Sequence, residues 1–245
     1  MFEESSTEPM REFSTLAVGQ SKLNSSQPPG PQKMVPALRT ATRELHRIAE
    51  RSGIVRELLC GRGDVVDYAL LQRNLLPAYR SMEQALQYRQ REPLYRTIAS
   101  PAVFRASAIE ADLRAMVGKR WSRQLPVLAV ARGYAERIAE VGYAGDVRLL
   151  AHTYTRYLGD LNGGQILKTL LKRSLGLPAD VLTFHEFPMI NDLAEFRLNY
   201  LSGLNAAVTD STTIGIVAEE ARRAFQFNID LSDAVFAQRL QTGIN

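Results

Sequence analysis

From His152 to Lys168 the chain reads as helix on both sides of an interruption, with Gly159, Gly163 and Gly164 falling within six positions. A glycine inside a helix costs roughly 1 kcal/mol relative to alanine. The segment must therefore either break there or meet a need that outweighs this cost. Positions 159 and 163 lie one helical turn apart, as do 160 and 164, so the three glycines and Asp160 read as one narrow stripe almost bare of side chains. Bare backbone admits a close neighbour. Helix packing through small residues, a plain break between two helices and a ligand lying flat on the backbone all fit. A phosphate loop does not fit, because no strand precedes the glycines and the glycine and lysine spacing is wrong.

The rest of the chain is read as helical as well. From Pro36, Leu38, Ala41, Leu45 and Ile48 recur at helical spacing, with Gly53 as a stop. Asp64 is placed to cap a second helix running from Val65 to Leu86, bent at Pro77. Further helices are expected over Ala106 to Val117, Pro126 to Val141, Gly145 to Leu175, Asn191 to Leu204 and Thr212 to Leu240, with an aromatic connector from Phe184 to Pro188. No run of alternating strands separated by turns occurs, so the fold is expected to be all-α and a single domain. Residues 1–31 mix Ser, Pro, Gly, Gln and Glu and are expected to be a disordered polar extension, with the helical domain over 32–240 and a short tail over 241–245.

Composition narrows the function. With 45% hydrophobic and 23% charged residues the chain is an ordinary soluble globular one. A net charge of +4 with no long basic run gives little reason to expect nucleic acid, although it suits an acidic redox partner or an anionic small molecule. The single Cys60 forms no intrachain disulfide, which fits a reducing compartment: the cytoplasm, or secondarily an organelle stroma. No stretch approaches the roughly 18 to 20 apolar residues of a membrane span, so no integral membrane anchor is expected.

Three histidines are present. His46 lies in the first helix four residues before Glu50, a spacing at which a carboxylate can hold one ring nitrogen while the other binds a metal; a lone helical histidine equally serves structure. His152 and His185 are read as structural, and histidines this widely spread do not make a zinc motif. Arg39 and Arg43, Arg156 and Tyr157, and Arg197 and Tyr200 could each grip a carboxylate-bearing ligand, while surface solvation or local ion pairs account for them too. Tyr79, Trp121, Phe225 and Phe227 could line a pocket or simply fill the core. Asn228 could bridge a helix to water, or stand as a polar residue on a helix face.

Thr42-Arg-Glu-Leu-His46-Arg-Ile-Ala-Glu50 together with Tyr154-Thr-Arg-Tyr-Leu-Gly-Asp-Leu-Asn-Gly-Gly-Gln165 resembles the haem oxygenase family. The likeness extends to Gly118-Lys-Arg-Trp121, to the stretch from Arg132 to Gly142 and to Ala224-Phe-Gln-Phe-Asn228-Ile, and so covers the chain from Gln32 to about Leu240. It implies haem held between a proximal and a glycine-kinked distal helix, as both substrate and cofactor, with molecular oxygen as co-substrate. His46 then matches the iron ligand, with Glu50 near its outer nitrogen. Gly159, Gly163 and Gly164 match the wall over the haem, and Asp160 matches a carboxylate acting through water. Arg39, Tyr154 and Arg197 match propionate contacts, Phe225 a pocket residue, and Tyr79, Arg156 and Asn228 members of the hydrogen-bond network around Asp160. The implied reaction opens the ring at a meso carbon to give biliverdin, carbon monoxide and ferrous iron. Since no flavin or iron–sulfur motif is visible, the implied electrons come from a ferredoxin or a flavin-containing reductase. A non-catalytic haem binder on the same scaffold is the rival reading. The sequence departs from the family pattern at Leu201, where many relatives carry an arginine, and at Asn162, where a serine is common. The expected state is a monomer or weak dimer.

Overall fold

The computed structural model describes residues 33–242; the extension read over 1–31 and residues 243–245 lie outside the described residues. Nine α-helices are described: α1 Met34–Ala49, α2 Gly53–Leu59, α3 Val65–Arg89, α4 Ala106–Val117, α5 Trp121–Gln124, α6 Ala129–Tyr143, α7 Leu149–Leu175, α8 Leu193–Ala207 and α9 Ser211–Thr242. Short 3-10 turns at Pro101–Val103, Ala179–Val181 and Thr183–His185 interrupt the connectors, and no strand occurs among the described residues. The all-α architecture expected from periodicity is the one observed.

Two ends differ from expectation. Gly53 starts a helix instead of stopping one, with a φ of 35° that favours glycine. A Cβ there would meet the backbone oxygen of Ser232 at 2.3 Å, so the corner between α1 and α2 lies directly on α9. Ser232 fixes that corner, accepting from the Val55 N–H at 3.0 Å and donating to the Ser52 carbonyl at 2.9 Å. At the other end, α9 continues through Gln241 and Thr242, residues read as tail.

α1 shows how one face buries while another stays open. Met34, Val35, Leu38 and Thr42 are buried, and the Thr42 hydroxyl is spent on the Leu38 carbonyl at 2.8 Å. α9 packs along this helix and along α7. α3 begins at the Asp64 cap that the sequence suggests: Asp64 Oδ1 accepts from the Asp67 N–H at 2.8 Å while Asp67 Oδ2 accepts from the Asp64 N–H at 2.9 Å. The helix continues through Pro77 and packs against α4 and α6. Gly142 lets α6 approach α3 closely, since a Cβ at 142 would lie 2.6 Å from the Ala85 Cβ. No described helix is long and apolar enough to cross a membrane.

α7 is one continuous helix of 27 residues through all three glycines, so the break considered from the sequence is absent from its hydrogen-bonded ladder.

Candidate functional site

Helical geometry splits the glycine stripe into two faces. Gly159 is exposed and Gly163 half-buried, whereas Asp160 and Gly164 are buried. Successive residues rotate by about 100°, so 159 faces outward, 160 and 164 face the core, and 163 lies between them. A Cβ added at Gly159 would meet nothing within 4 Å, whereas one at Gly164 would meet His185 Nδ1 at 3.6 Å. The sequence reading of a single bare stripe is thus corrected: Gly159 opens a surface, while Asp160 and Gly164 belong to the core side.

Behind the open surface lies a closed polar network. The Tyr79 hydroxyl donates to Asp160 Oδ2 at 2.7 Å and accepts from Arg156 Nε at 2.9 Å and Nη2 at 2.7 Å. Arg156 Nη1 donates to Asn228 Oδ1 at 2.7 Å, and Nη2 stands 3.7 Å from Asp160 Oδ1. Asn228 is itself anchored through its Nδ2 on the Ala224 carbonyl at 2.8 Å. Residues of α3, α7 and α9 thereby join one network that ends on the Asp160 carboxylate. Burial pushes the Asp160 carboxyl above its usual value, against the Arg156 charge and the Tyr79 hydrogen bond that hold it down.

On α1, the His46 ring is 43% exposed, with Nδ1 3.4 Å from Glu50 Oε1. Glu50 therefore occupies the Nδ1 side and leaves Nε2 as the nitrogen able to ligate a metal. Phe225 of α9 backs the ring at 5.7 Å between centroids. α1 and α7 meet where Tyr154, buried, brings its hydroxyl beside Thr42 and under the Arg39 charge. His46 and Gly159 each lie about one helical turn from that contact. Arg39 is exposed, and Arg197 Nη1 reaches across from α8 to Asn162 Oδ1 at 3.2 Å.

Other candidates fall into the core. Tyr200 is 2% exposed, stacked on Phe196 and edge-on to Tyr157, so it cannot serve as a rim donor for an anion. Trp121 is buried under the Arg73 guanidinium, and Phe227 stacks on Tyr134 at 4.9 Å. His152 Nε2 lies 3.2 Å from Glu220, and His185 is buried with Nε2 3.0 Å from the Tyr68 hydroxyl. Tyr134, beside Asn228, Arg156 and Phe227, was missed, because an aromatic on an apolar helix face has no signal in sequence that separates it from core.

A half-exposed histidine with Glu50 on its Nδ1 side, a neighbouring helix face bared by glycine and a buried carboxylate behind it define a helical domain with one candidate ligand face. Comparison with known proteins gives that class a family. Residues 32–234 match the family model described as heme oxygenase, and the chain belongs to that family. It is 34% identical over 204 residues to heme oxygenase 1 of Pongo abelii, spanning 82% of this chain and 71% of that protein. Its fold superposes with a TM-score of 0.81 on heme oxygenase-1 of the cyanobacterium Synechocystis, solved in complex with heme, at 30% identity and covering 86% of this chain and 96% of that one. Synechocystis heme oxygenase-2, solved with heme and NO, gives a TM-score of 0.80 at 28% identity over 87% of this chain and 89% of that one.

Proposed function

We propose that this protein opens the haem ring at a meso carbon with molecular oxygen, releasing biliverdin, carbon monoxide and ferrous iron, with electrons delivered by a ferredoxin or a flavin-containing reductase. The observation that carries the reading is the pairing of an open glycine face at Gly159 with the buried Tyr79–Asp160–Arg156 network directly behind it. Haem fits the residues present: His46 would hold the iron through Nε2, and Gly159 leaves room for the ring and for oxygen beside the helix backbone. Arg39, Tyr154 and Arg197 would take the propionates, two of them charged donors suited to carboxylates. Bound haem supplies both the metal that activates oxygen and the carbon that is attacked.

The protein's own part is orientation and proton handling. Glu50 fixes the His46 tautomer from the Nδ1 side. Asp160, buried behind that face, would hold a water there and pass a proton through it, burial raising its carboxyl against the Arg156 charge and the Tyr79 hydrogen bond. The exclusion of bulk water by the buried core behind α7 keeps that proton delivery directed.

The test is haem titration without oxygen, followed by oxygen and a generic electron supply, with absorption and mass detection of bile pigment. Stoichiometric binding and conversion to biliverdin is the expected result. Stable binding with no ring opening under several competent donors points instead to a haem carrier or sensor, and no binding removes the role given to His46.

A further inference from the structure

On the core side of α7, one turn beyond Asp160, lies a buried polar cluster that the proposed reaction does not use. His185 stands at the end of the turn Thr183–His185 and is 2% exposed. Asp112 fixes this turn, accepting at Oδ1 from the Thr183 N–H at 2.9 Å and hydroxyl at 2.6 Å, and at Oδ2 from the Phe184 N–H at 2.9 Å. The turn is strapped to α7 as well: Gln165 Nε2 donates to the His185 carbonyl at 2.7 Å, and Lys168 pairs with Glu186.

The ring itself is oriented by a chain of hydrogen bonds. Gln72 Nε2 donates to the Tyr68 hydroxyl oxygen at 2.6 Å, and that hydroxyl lies 3.0 Å from His185 Nε2. With the Tyr68 proton given to Nε2 while its oxygen accepts from Gln72, a neutral His185 carries its hydrogen on Nδ1. Burial, with the nearby Lys168 and Arg105 charges, holds the imidazole down to about 3, so neutrality is its state at physiological pH. Nδ1 is buried, has no hydrogen-bond partner among the described residues, and lies 3.6 Å from where a Gly164 Cβ would be. Glycine at 164 leaves the helix backbone open to that donor. Buried donors in native proteins nearly always reach an acceptor, directly or through an ordered water.

We propose that His185, oriented by Tyr68 and Gln72, is a positioning residue: its Nδ1–H donates through one ordered water to the backbone of α7 beside Gly164, and so fixes the turn that carries Asp160. This role rests on the haem chemistry proposed above. It also assigns separate reasons to the glycines, Gly159 for the ligand and Gly164 for the histidine.

The experiment begins with nitrogen-15 NMR of the haem-free protein, which reports the His185 tautomer without any need for activity. A hydrogen on Nδ1 is expected; a hydrogen on Nε2 overturns the proposal. His185→Phe and His185→Asn are then compared for thermal midpoint, haem affinity and turnover. Phe keeps the bulk and removes the donor, whereas Asn places an amide N–H near the Nδ1 position. Turnover of His185→Phe is expected to fall about tenfold, the usual scale for a lost supporting hydrogen bond, with haem affinity changed less than about twofold. Recovery in His185→Asn of most of that loss supports the donor role. Wild-type turnover in His185→Phe, or equal loss in both variants, overturns it. Should the wild-type chain fail to bind haem, the functional reading falls and this role with it, while the tautomer measurement still decides the hydrogen bond.

Discussion

Asp160 shows how one residue's chemistry depends on partners distant in sequence. Tyr79, its donor at 2.7 Å, is 81 positions away and also accepts two N–H groups of Arg156. Tyr79→Phe leaves these groups short of a partner, and a buried polar atom so orphaned costs roughly 1–3 kcal/mol. Denaturant unfolding of this variant should show that loss together with reduced turnover; full stability would mean that water replaces the hydroxyl. Gly159→Ala should act in the opposite sense on stability. Its Cβ meets nothing, so the haem-free protein gains up to about 1 kcal/mol of helix propensity while haem binding weakens. A gain in stability with unchanged haem affinity would place the ligand elsewhere. His46 and Asp160 were legible from spacing only as candidates. Their joint role came from the resemblance, because nothing in a helical repeat records that Tyr79, Arg156 and Asn228 converge.

Among elements, the longer helices were readable because core-facing residues recur every three or four positions, and α4 begins and ends where expected. The seven-residue α2 was not, since two turns are too short to establish a period and Gly53 resembled a stop. Three helices are tied together at Glu220 of α9, which accepts from Arg137 of α6 at Nε and Nη2, 2.9 and 2.7 Å, and lies 3.2 Å from His152 Nε2 of α7. Burial alone would raise the Glu220 carboxyl, but the Arg137 and His152 contacts win and hold it down to about 2. A carboxylate depressed in the folded state stabilises above its unfolded value near 4.5, and that contribution disappears as pH falls from there to about 2. Glu220→Gln should therefore be less stable than wild type at neutral pH by about 2 kcal/mol, allowing for partial solvent screening, and the gap should close through that acid window. A gap that persists at pH 2 would assign the loss to packing. Gly142→Ala, with its Cβ 2.6 Å from Ala85, should cost about 1–3 kcal/mol by forcing α3 and α6 apart.

At the scale of the whole molecule, α1, α7 and α9 form a frame whose open side is bared by glycine and carries the exposed His46 ring. A ligand bound only by the folded frame stabilises it by mass action, about 2.7 kcal/mol at a hundred times Kd. Haem should accordingly raise the thermal midpoint in the wild type, and His46→Ala should reduce that rise; an equal rise in both would show that iron ligation contributes nothing to binding. By itself the sequence determined the helical architecture, the position of the glycine cluster and the family, because periodicity, glycine cost and motif order are written along the chain. Only the tertiary structure decided that 159 faces outward while 160 and 164 face the core, that Tyr200 is buried, and that His185 seats against Gly164. A helix presents every side of itself in its sequence, and which side becomes wall and which becomes core depends on neighbours that arrive from far along the chain.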